Sequence, residues 1–362
     1  MPWINLTVKP DGIFSPCAKY KGDDIFPFNN IKNDIKNDIA HSGCQICWKE
    51  EQNHKKSYRQ RMIELLNDND CNTITRLDIK LNNSCNLKCR MCNPYSSNQI
   101  EKEFNLLKNK HKNFNYFSSF NNLSFKNKRN ILEQLKNYTL HLERIYATGG
   151  EPLLNSYFIE FLKYCIDMGV SKNIKLSMST NAILINKDLL SIFNQFKNLS
   201  MTISVDGTEN VYEYIRYPAN WKILNENIKM LQNEFDSDFL NCSVAIVPQV
   251  YNILDITNIF QWSKSISTKY SLEIIPVWLS DPDFLHIKNI PIKLKQKALN
   301  LLHSYNCQDQ FEKEFVNGIL RDINEKRDIK SWNQFLEYTE ILDKKRQQSL
   351  KYSIPELYKL IR

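Results

Sequence analysis

An α/β fold, specifically a partial (β/α)6 TIM-like barrel, is predicted by this sequence of 362 residues. Three observations predict it: short β-rich runs recur from residue 76 onward, helical patterns fill the gaps, and the chemically suggestive motifs fall where the runs end. The runs are RLDIKLN at 76–82, LERIYATG at 142–149, IKLSMST at 174–180, LSMTISVD at 199–206, LNCSVAIVP at 240–248 and LEIIPVW at 272–278. Helical spacing marks YFIEFLKYCIDMG at 157–169, KDLLSIFNQF at 187–196, NWKILNENIKMLQNEF at 220–235 and NILDITNIFQWSKSI at 252–266. Strands alternating with helices of this length form βαβ units with right-handed crossovers and a parallel sheet. Such a barrel gathers its chemistry at the carboxyl ends of its strands. The flanks read differently. Residues 1–75 form a Cys-containing amino-terminal module, 76–285 the barrel, and 286–362 a carboxyl-terminal extension of charged amphipathic helices such as NQFLEYTEILDKKRQQSL.

Composition narrows the class further. A hydrophobic fraction of 42% supplies a sizeable core. No run approaches the roughly 18 apolar residues of a membrane span, so no membrane partner is expected. The start, MPWINLTVKPDG, lacks the basic-then-apolar order of a secretory signal, which points to a cytoplasmic protein. The net charge of +8 is modest for this length. The stretch LKNKHKNFNYFSSFNNLSFKNKRN at 107–130 mixes Lys with Phe and Tyr, as a nucleic-acid surface does. It lacks strong periodicity and reads as a solvated insertion, so nucleic acid is not expected as a partner.

Ten cysteines occur, and their clustering is uneven. In a reducing cytosol clustered thiols point to metal rather than to disulfides. Cys165, Cys242 and Cys307 stand alone in apolar or helical contexts and read as inert buried thiols. Cys85, Cys89 and Cys92 form the tight set CNLKCRMC; Cys17, Cys44 and Cys47 form a looser one, and Cys71 lies in an Asn/Asp-rich loop. A loop of spacing CxxxCxxC can wrap three corners of a cubane iron–sulfur cluster, which normally takes four thiolates. The iron left without a protein ligand can chelate the amino and carboxylate groups of a methionine-like molecule. Zinc more often shows paired CxxC knuckles and a fourth ligand.

CxxxCxxC after the first strand resembles the signature of radical S-adenosylmethionine (SAM) enzymes. TGGEP at 148–152 is similar to the family's GGEP motif, after the second strand. The resemblance implies that Gly149 and Gly150 let backbone approach SAM and that Glu151 pairs its ammonium. It further implies that Ser179, Thr180 and Asn181, then Ser204 and Asp206, face the ribose and methionyl part of SAM or the substrate. Arg216, in YEYIRYP, looks like an arginine pairing the SAM carboxylate, or is a plain surface arginine. Val247, Gln249 and Asn252 lie where the family cradles adenine, and Asn252 also suits a helix N-cap. Met91 fills the bulky position before the third cysteine.

The amino-terminal cysteines resemble something narrower. WINLTVKPDGIFSPC at 3–17 and GCQICWKEEQNHKKSYRQR at 43–61 look like the two ends of an auxiliary-cluster segment, the SPASM/twitch type, placed before the barrel. FLEYTEILDKKRQQSLKYSIPEL at 335–357 resembles that group's ending. The group usually has a further cysteine ahead of the Pro-Trp pair; here the chain begins Met1-Pro2-Trp3. Either that ligand is lost or the chain starts downstream of it, and Cys71 is a possible substitute or an incidental thiol. The CxxC of Cys44 and Cys47 suits zinc as readily as iron–sulfur.

The resemblance implies a [4Fe–4S] cluster, SAM, a second auxiliary cluster and a flavodoxin- or ferredoxin-type reductant. It implies a radical that abstracts hydrogen from a substrate C–H, followed by oxidation or ring formation. A peptide, an amino-acid derivative or a nucleotide-linked sugar all stay open as substrate. No winged-helix leader-peptide domain is evident, which disfavours a ribosomal peptide. An RNA-modifying enzyme and a zinc-stabilised binding protein without activity are the alternatives. No catalytic residue is legible.

Overall fold

The computed structural model describes residues 3–9, 11–24, 26, 28–37, 39–64, 73–110 and 128–361. The chain divides into two compact units, one of Met1–Ser84, Asn122–Ser179 and Lys187–Ser200, the other of Cys85–Asn121, Thr180–Asn186 and Met201–Arg362. Among the described residues the strands are β1 (Asn5–Val8), β2 (Phe14–Ser15), β3 (Arg76–Ile79), β4 (Arg144–Ala147), β5 (Lys175–Thr180), β6 (Asn198–Ser204), β7 (Leu240–Ile246) and β8 (Glu273–Pro276). The last six are the runs that the sequence marks. The first two lie in the amino-terminal segment, where the sequence marks none.

In the first unit β1 pairs β3 in parallel, β3 pairs β4 and β4 pairs β5, all parallel, while β2 is antiparallel on the outer side of β1. The register explains why these short strands hold. Leu6 stands opposite Leu77, Leu77 opposite Ile145 and Ile145 opposite Leu176, and all four are fully buried. Val8, Ile79, Ala147 and Met178 make a second row two residues on, none more than 2% exposed. Alternation then places Thr7, Asp78, Tyr146 and Ser177 on the opposite face, a polar row. Each large apolar member of the buried rows contributes about 1.5–3 kcal/mol by leaving water. A one-residue slip would exchange the two faces, so the register is strongly specified.

After β1 a tight return through Asp11 and Gly12 leads onto β2. Gly12 takes a positive φ of 78°, its N–H donates to the Lys9 carbonyl at 2.8 Å, and Asp11 Oδ1 accepts from the Ile13 N–H at 3.0 Å. The helix Ser156–Asp167 buries Phe158, Phe161, Leu162 and Cys165. It starts where it does because Asn155 Oδ1 accepts from the N–H groups of Tyr157 and Phe158 at 3.1 and 3.2 Å.

In the second unit β7 pairs β8 in parallel, with Val244 opposite Ile274. The helix Trp221–Glu234 is capped by Asn220, whose Oδ1 accepts from the Ile223 N–H at 3.0 Å. The next helix begins at Ile256, not at 252, and Asp255 takes the N-cap position. The N-cap reading of Asn252 is therefore corrected. The carboxyl-terminal stretch is helical as expected, in Ile292–Ser304, Gln310–Ile323, Ile329–Arg346, Leu350–Ser353 and Pro355–Ile361. No helix among the described residues is long and apolar enough to cross a membrane.

The α/β class with a parallel sheet thus holds. Two isolated thiols behave as expected, with Cys165 and Cys242 buried and pushed up to about 12 by that burial. Cys307 differs: it is half-buried, because it sits in the connection between two helices rather than on an apolar face. Most of the basic stretch at 107–130, and Cys71, lie outside the described residues.

Candidate functional site

The motifs fall at strand ends as the alternation predicts. CNLKCRMC follows β3, TGGEP follows β4, Thr180 closes β5, Ser204 closes β6 and Val247 follows β7.

The cysteine loop is held from several sides within its unit. The Cys85 N–H donates to Asn98 Oδ1 at 3.1 Å, and Ser97 Oγ donates to the Leu87 carbonyl at 3.2 Å. The Lys88 and Arg90 N–H groups donate to the Tyr217 and Ile215 carbonyls at 2.6 and 2.8 Å. Burial pushes the Cys92 thiol well above its ordinary range, and the neighbouring Cys89 and Cys85 thiols push it further, so the three stand as one electrostatic group. Burial also raises Cys89, against which the Arg216 guanidinium pulls it back. Among the described residues no three or more His, Cys, Asp or Glu side chains converge as ligands of a single metal ion. A cubane distributes its thiolates over separate irons, and three thiols from one short loop fit that donor set.

Sequence reasoning missed the residue that braces this loop. Arg90 lies between Cys89 and Cys92 with its side chain fully buried. Its guanidinium carbon sits 3.6 Å from the Tyr214 ring centre, Nε donates to the Tyr214 carbonyl at 3.0 Å, and Nη2 reaches Asp343 Oδ1 at 2.5 Å and Gln348 Oε1 at 3.0 Å. Tyr338 Oη donates to the Arg90 carbonyl at 2.7 Å. A charge inside a cysteine-rich loop was the available signal; its partners lie more than 120 residues away in sequence.

TGGEP forms a cradle within the other unit. Gly149 and Gly150 have positive φ values of 81° and 54°, and a Cβ on Gly150 would overlap the Ser84 carbonyl oxygen. The Glu151 N–H donates to that same carbonyl at 2.8 Å. Its buried carboxylate accepts from the Leu153 N–H at 3.2 Å, so Glu151 also caps the short turn Pro152–Leu154.

Thr180 and Asn181 are both buried. Thr180 Oγ1 accepts from the Ala182 N–H at 3.0 Å, and Asn181 Nδ2 donates to Asn86 Oδ1 on the cysteine loop at 2.8 Å. Asp206 is fully buried and accepts from the Val247 N–H at 2.6 Å, while its Oδ2 lies 2.5 Å from Arg216 Nη2. Burial raises the Asp206 carboxyl above its ordinary range, and the Arg216 guanidinium opposes that shift. Arg216 is only 8% exposed, which removes the surface-arginine reading. Asn252 Nδ2 donates to the Asp206 and Val247 carbonyls at 3.0 and 2.9 Å, and its Oδ1 accepts from the Gln249 N–H at 2.8 Å. It fixes this bend instead of capping a helix. Gln249 is fully buried, and its Oε1 has no hydrogen-bond partner among the described residues. An orphaned acceptor of this kind suits a ligand that brings a donor, as an adenine amine does.

The amino-terminal thiols influence one another electrostatically. Burial pushes Cys44 up to about 11, with Cys17 and then Cys47 adding to it. Cys17 and Cys47 are themselves buried.

The family model described as the Radical SAM superfamily matches residues 79–262. The chain belongs to the Radical SAM superfamily. That superfamily is one of enzymes that use a [4Fe–4S] cluster and SAM. Among curated proteins it is 32% identical over 134 residues to an uncharacterized protein of Methanocaldococcus jannaschii, covering 37% of this chain and 39% of that protein. It is 24% identical over 281 residues to GTP 3′,8-cyclase of Synechocystis, covering 77% of this chain and 70% of the relative. Among solved structures it is similar to native anSMEcpe with bound AdoMet, with 18% identity, TM-score 0.44, and 67% of this chain and 62% of that one covered. It is also similar to Streptococcus suis SuiB bound to S-adenosylmethionine, with 13% identity, TM-score 0.38, and 87% and 55% covered. The match spans less than two thirds of the length of the first relatives of each kind.

Proposed function

We propose that this radical SAM protein cleaves SAM at a cluster held by Cys85, Cys89 and Cys92 and uses the product to oxidise or cyclise its substrate. The observation that carries the reading is the placing of those three cysteines on one loop after β3, a loop braced by Arg90. The chemistry supplied by the bound cluster and SAM is one-electron reductive cleavage to methionine and a 5′-deoxyadenosyl radical, which takes a hydrogen atom from a substrate C–H bond.

The chain's own residues bind and orient. Glu151 offers its carboxylate to the SAM ammonium, and Gly149 and Gly150 let backbone come close because no Cβ intervenes. Gln249 Oε1 and the backbone at Val247 meet the adenine. Thr180, Asn181 and Ser204 supply polar atoms towards the ribose or substrate, and Asp206 contributes through Arg216. The partial (β/α)6 barrel over 76–285 carries these groups, with 286–362 as a helical extension.

Residues 1–75 are proposed as an auxiliary SPASM/twitch-like module in which Cys17, Cys44 and Cys47 hold a second cluster. Their mutual electrostatic influence supports this. A second cluster that accepts an electron favours net oxidation or ring formation. The GTP 3′,8-cyclase relative, whose name states a ring closure, agrees with that outcome. A peptide, amino-acid derivative or nucleotide-linked sugar as substrate, a flavodoxin- or ferredoxin-type reductant and a cytoplasmic location complete the proposal. The test is anaerobic reconstitution, incubation with SAM, dithionite and a metabolite extract, and mass spectrometry. Formation of 5′-deoxyadenosine together with a substrate-derived product supports the reading; failure to cleave SAM overturns it.

A further inference from the structure

Within the second unit one buried ion pair is aimed at a cluster cysteine rather than at a substrate. Arg216 Nη1 lies 3.6 Å from Cys89 Sγ in donor geometry. Nη2 of the same guanidinium stands 2.5 Å from Asp206 Oδ2, and Nε donates to the Val205 carbonyl at 3.1 Å. Nε and Nη1 are thus held by hydrogen bonds, and Nη2 stands at ion-pair distance from the carboxylate. Asp206 is set in turn. Its other carboxylate oxygen accepts from the Val247 N–H at 2.6 Å, its carbonyl accepts from Asn252 Nδ2 at 3.0 Å, and its backbone holds a left-handed φ of 66°. Aspartate tolerates that conformation better than most side chains do, and here the hydrogen bonds to its carboxylate and carbonyl hold it.

We propose that the Asp206–Arg216 pair is a built hydrogen-bond donor to the Cys89 thiolate, by which Arg216 sets the reduction potential of the cluster. The inference rests on the radical SAM reading of Cys85, Cys89 and Cys92. It departs from the family resemblance, which assigns Arg216 to the SAM carboxylate. Paired with Asp206, the arginine brings no net charge. What it offers is an oriented dipole, positive end towards the sulfur, from a buried guanidinium beside a half-buried cysteine. A reduced cluster carries one more negative charge than an oxidised one, so a donor on its thiolate stabilises the reduced form more. Hydrogen bonds to cluster sulfurs are among the terms that set these potentials. Arg216 is thus a positioning and tuning residue.

The test uses the full chain reconstituted anaerobically, titrated electrochemically without SAM and followed by electron paramagnetic resonance. Arg216→Gln is expected to retain its iron while the midpoint potential of the loop cluster becomes more negative, with Arg216→Lys falling between it and wild type. An unchanged potential combined with weakened SAM binding overturns the inference and returns Arg216 to the SAM carboxylate. Wild-type protein labelled with ¹⁵N-arginine supplies a measurement that needs no variant to fold. Pulsed resonance on the reduced cluster should show a weak ¹⁵N coupling, and its absence overturns the inference. A wild-type chain that takes up no iron at all overturns the superfamily chemistry itself, and this inference with it.

Discussion

Arg90 Nη2 lies 2.5 Å from Asp343 Oδ1, which ties the loop of Cys85, Cys89 and Cys92 to the helix Ile329–Arg346. A second pair, this one buried on both sides, is Arg346 Nη2 with Glu103 Oε2 at 2.6 Å, which joins the end of that helix to Asn98–Lys110, the helix that follows the loop. The carboxyl-terminal extension is therefore part of the mount for the cysteine loop. Removing one partner of a buried pair leaves the other charge uncompensated, which costs about 3–5 kcal/mol. Asp343→Ala should lower the unfolding temperature sharply and reduce iron retained after reconstitution. Wild-type values for both would show that the loop is held without this contact.

Replacing Cys85, Cys89 and Cys92 together by Ala should abolish 5′-deoxyadenosine formation from SAM and dithionite. The loop is anchored by backbone groups and Arg90, so the apo chain should still fold. Residual product above background, measured by mass spectrometry, would sink the assignment of the cluster to these thiols.

Glu151 separates SAM binding from cluster binding. Glu151→Ala removes an ammonium partner and should weaken SAM by about 1.5–3 kcal/mol, with iron content unchanged. Because the carboxylate also caps Pro152–Leu154, apo stability should fall as well. Glu151→Gln keeps the capping oxygen and should lose SAM affinity with little loss of stability. Titration showing full affinity in both variants would leave Glu151 as a turn residue only.

Gly150→Ala tests the cradle itself. The new Cβ meets the Ser84 carbonyl oxygen, and the positive φ adds about 1–2 kcal/mol of backbone strain. We expect a lower unfolding temperature and lost SAM binding. Gly169 also has a positive φ, but a Cβ there would meet nothing within 4 Å, so Gly169→Ala should show the strain alone.

Iron counting tests the amino-terminal module. Two cubane sites predict about eight irons per reconstituted chain, and about four in the triple Ala variant. Iron near four in wild type, with stoichiometric zinc, would replace the auxiliary cluster while leaving the radical enzyme standing.

The α/β class, the six strands from β3 to β8, and the coincidence of CNLKCRMC, TGGEP and the later polar motifs with strand ends were all legible in the sequence. They depend on local signals: alternating apolar residues, helical spacing, glycines that permit unusual backbone, and cysteines at fixed separation. The rest waited on the fold. β1 spans four residues, NLTV, too short and too polar to announce a strand, and exists because β3 offers it a parallel partner. Asn252 reads as a helix cap until the fold brings the Asp206 and Val247 carbonyls to its amide. Arg216 reads as a surface or ligand residue until burial sets it between Asp206 and Cys89. Arg90 has no meaning in CNLKCRMC until Asp343, 253 residues later, arrives beside it. A buried charge takes its role from whichever partner the fold delivers, because only that partner offsets its desolvation, and sequence spacing carries no record of that pairing.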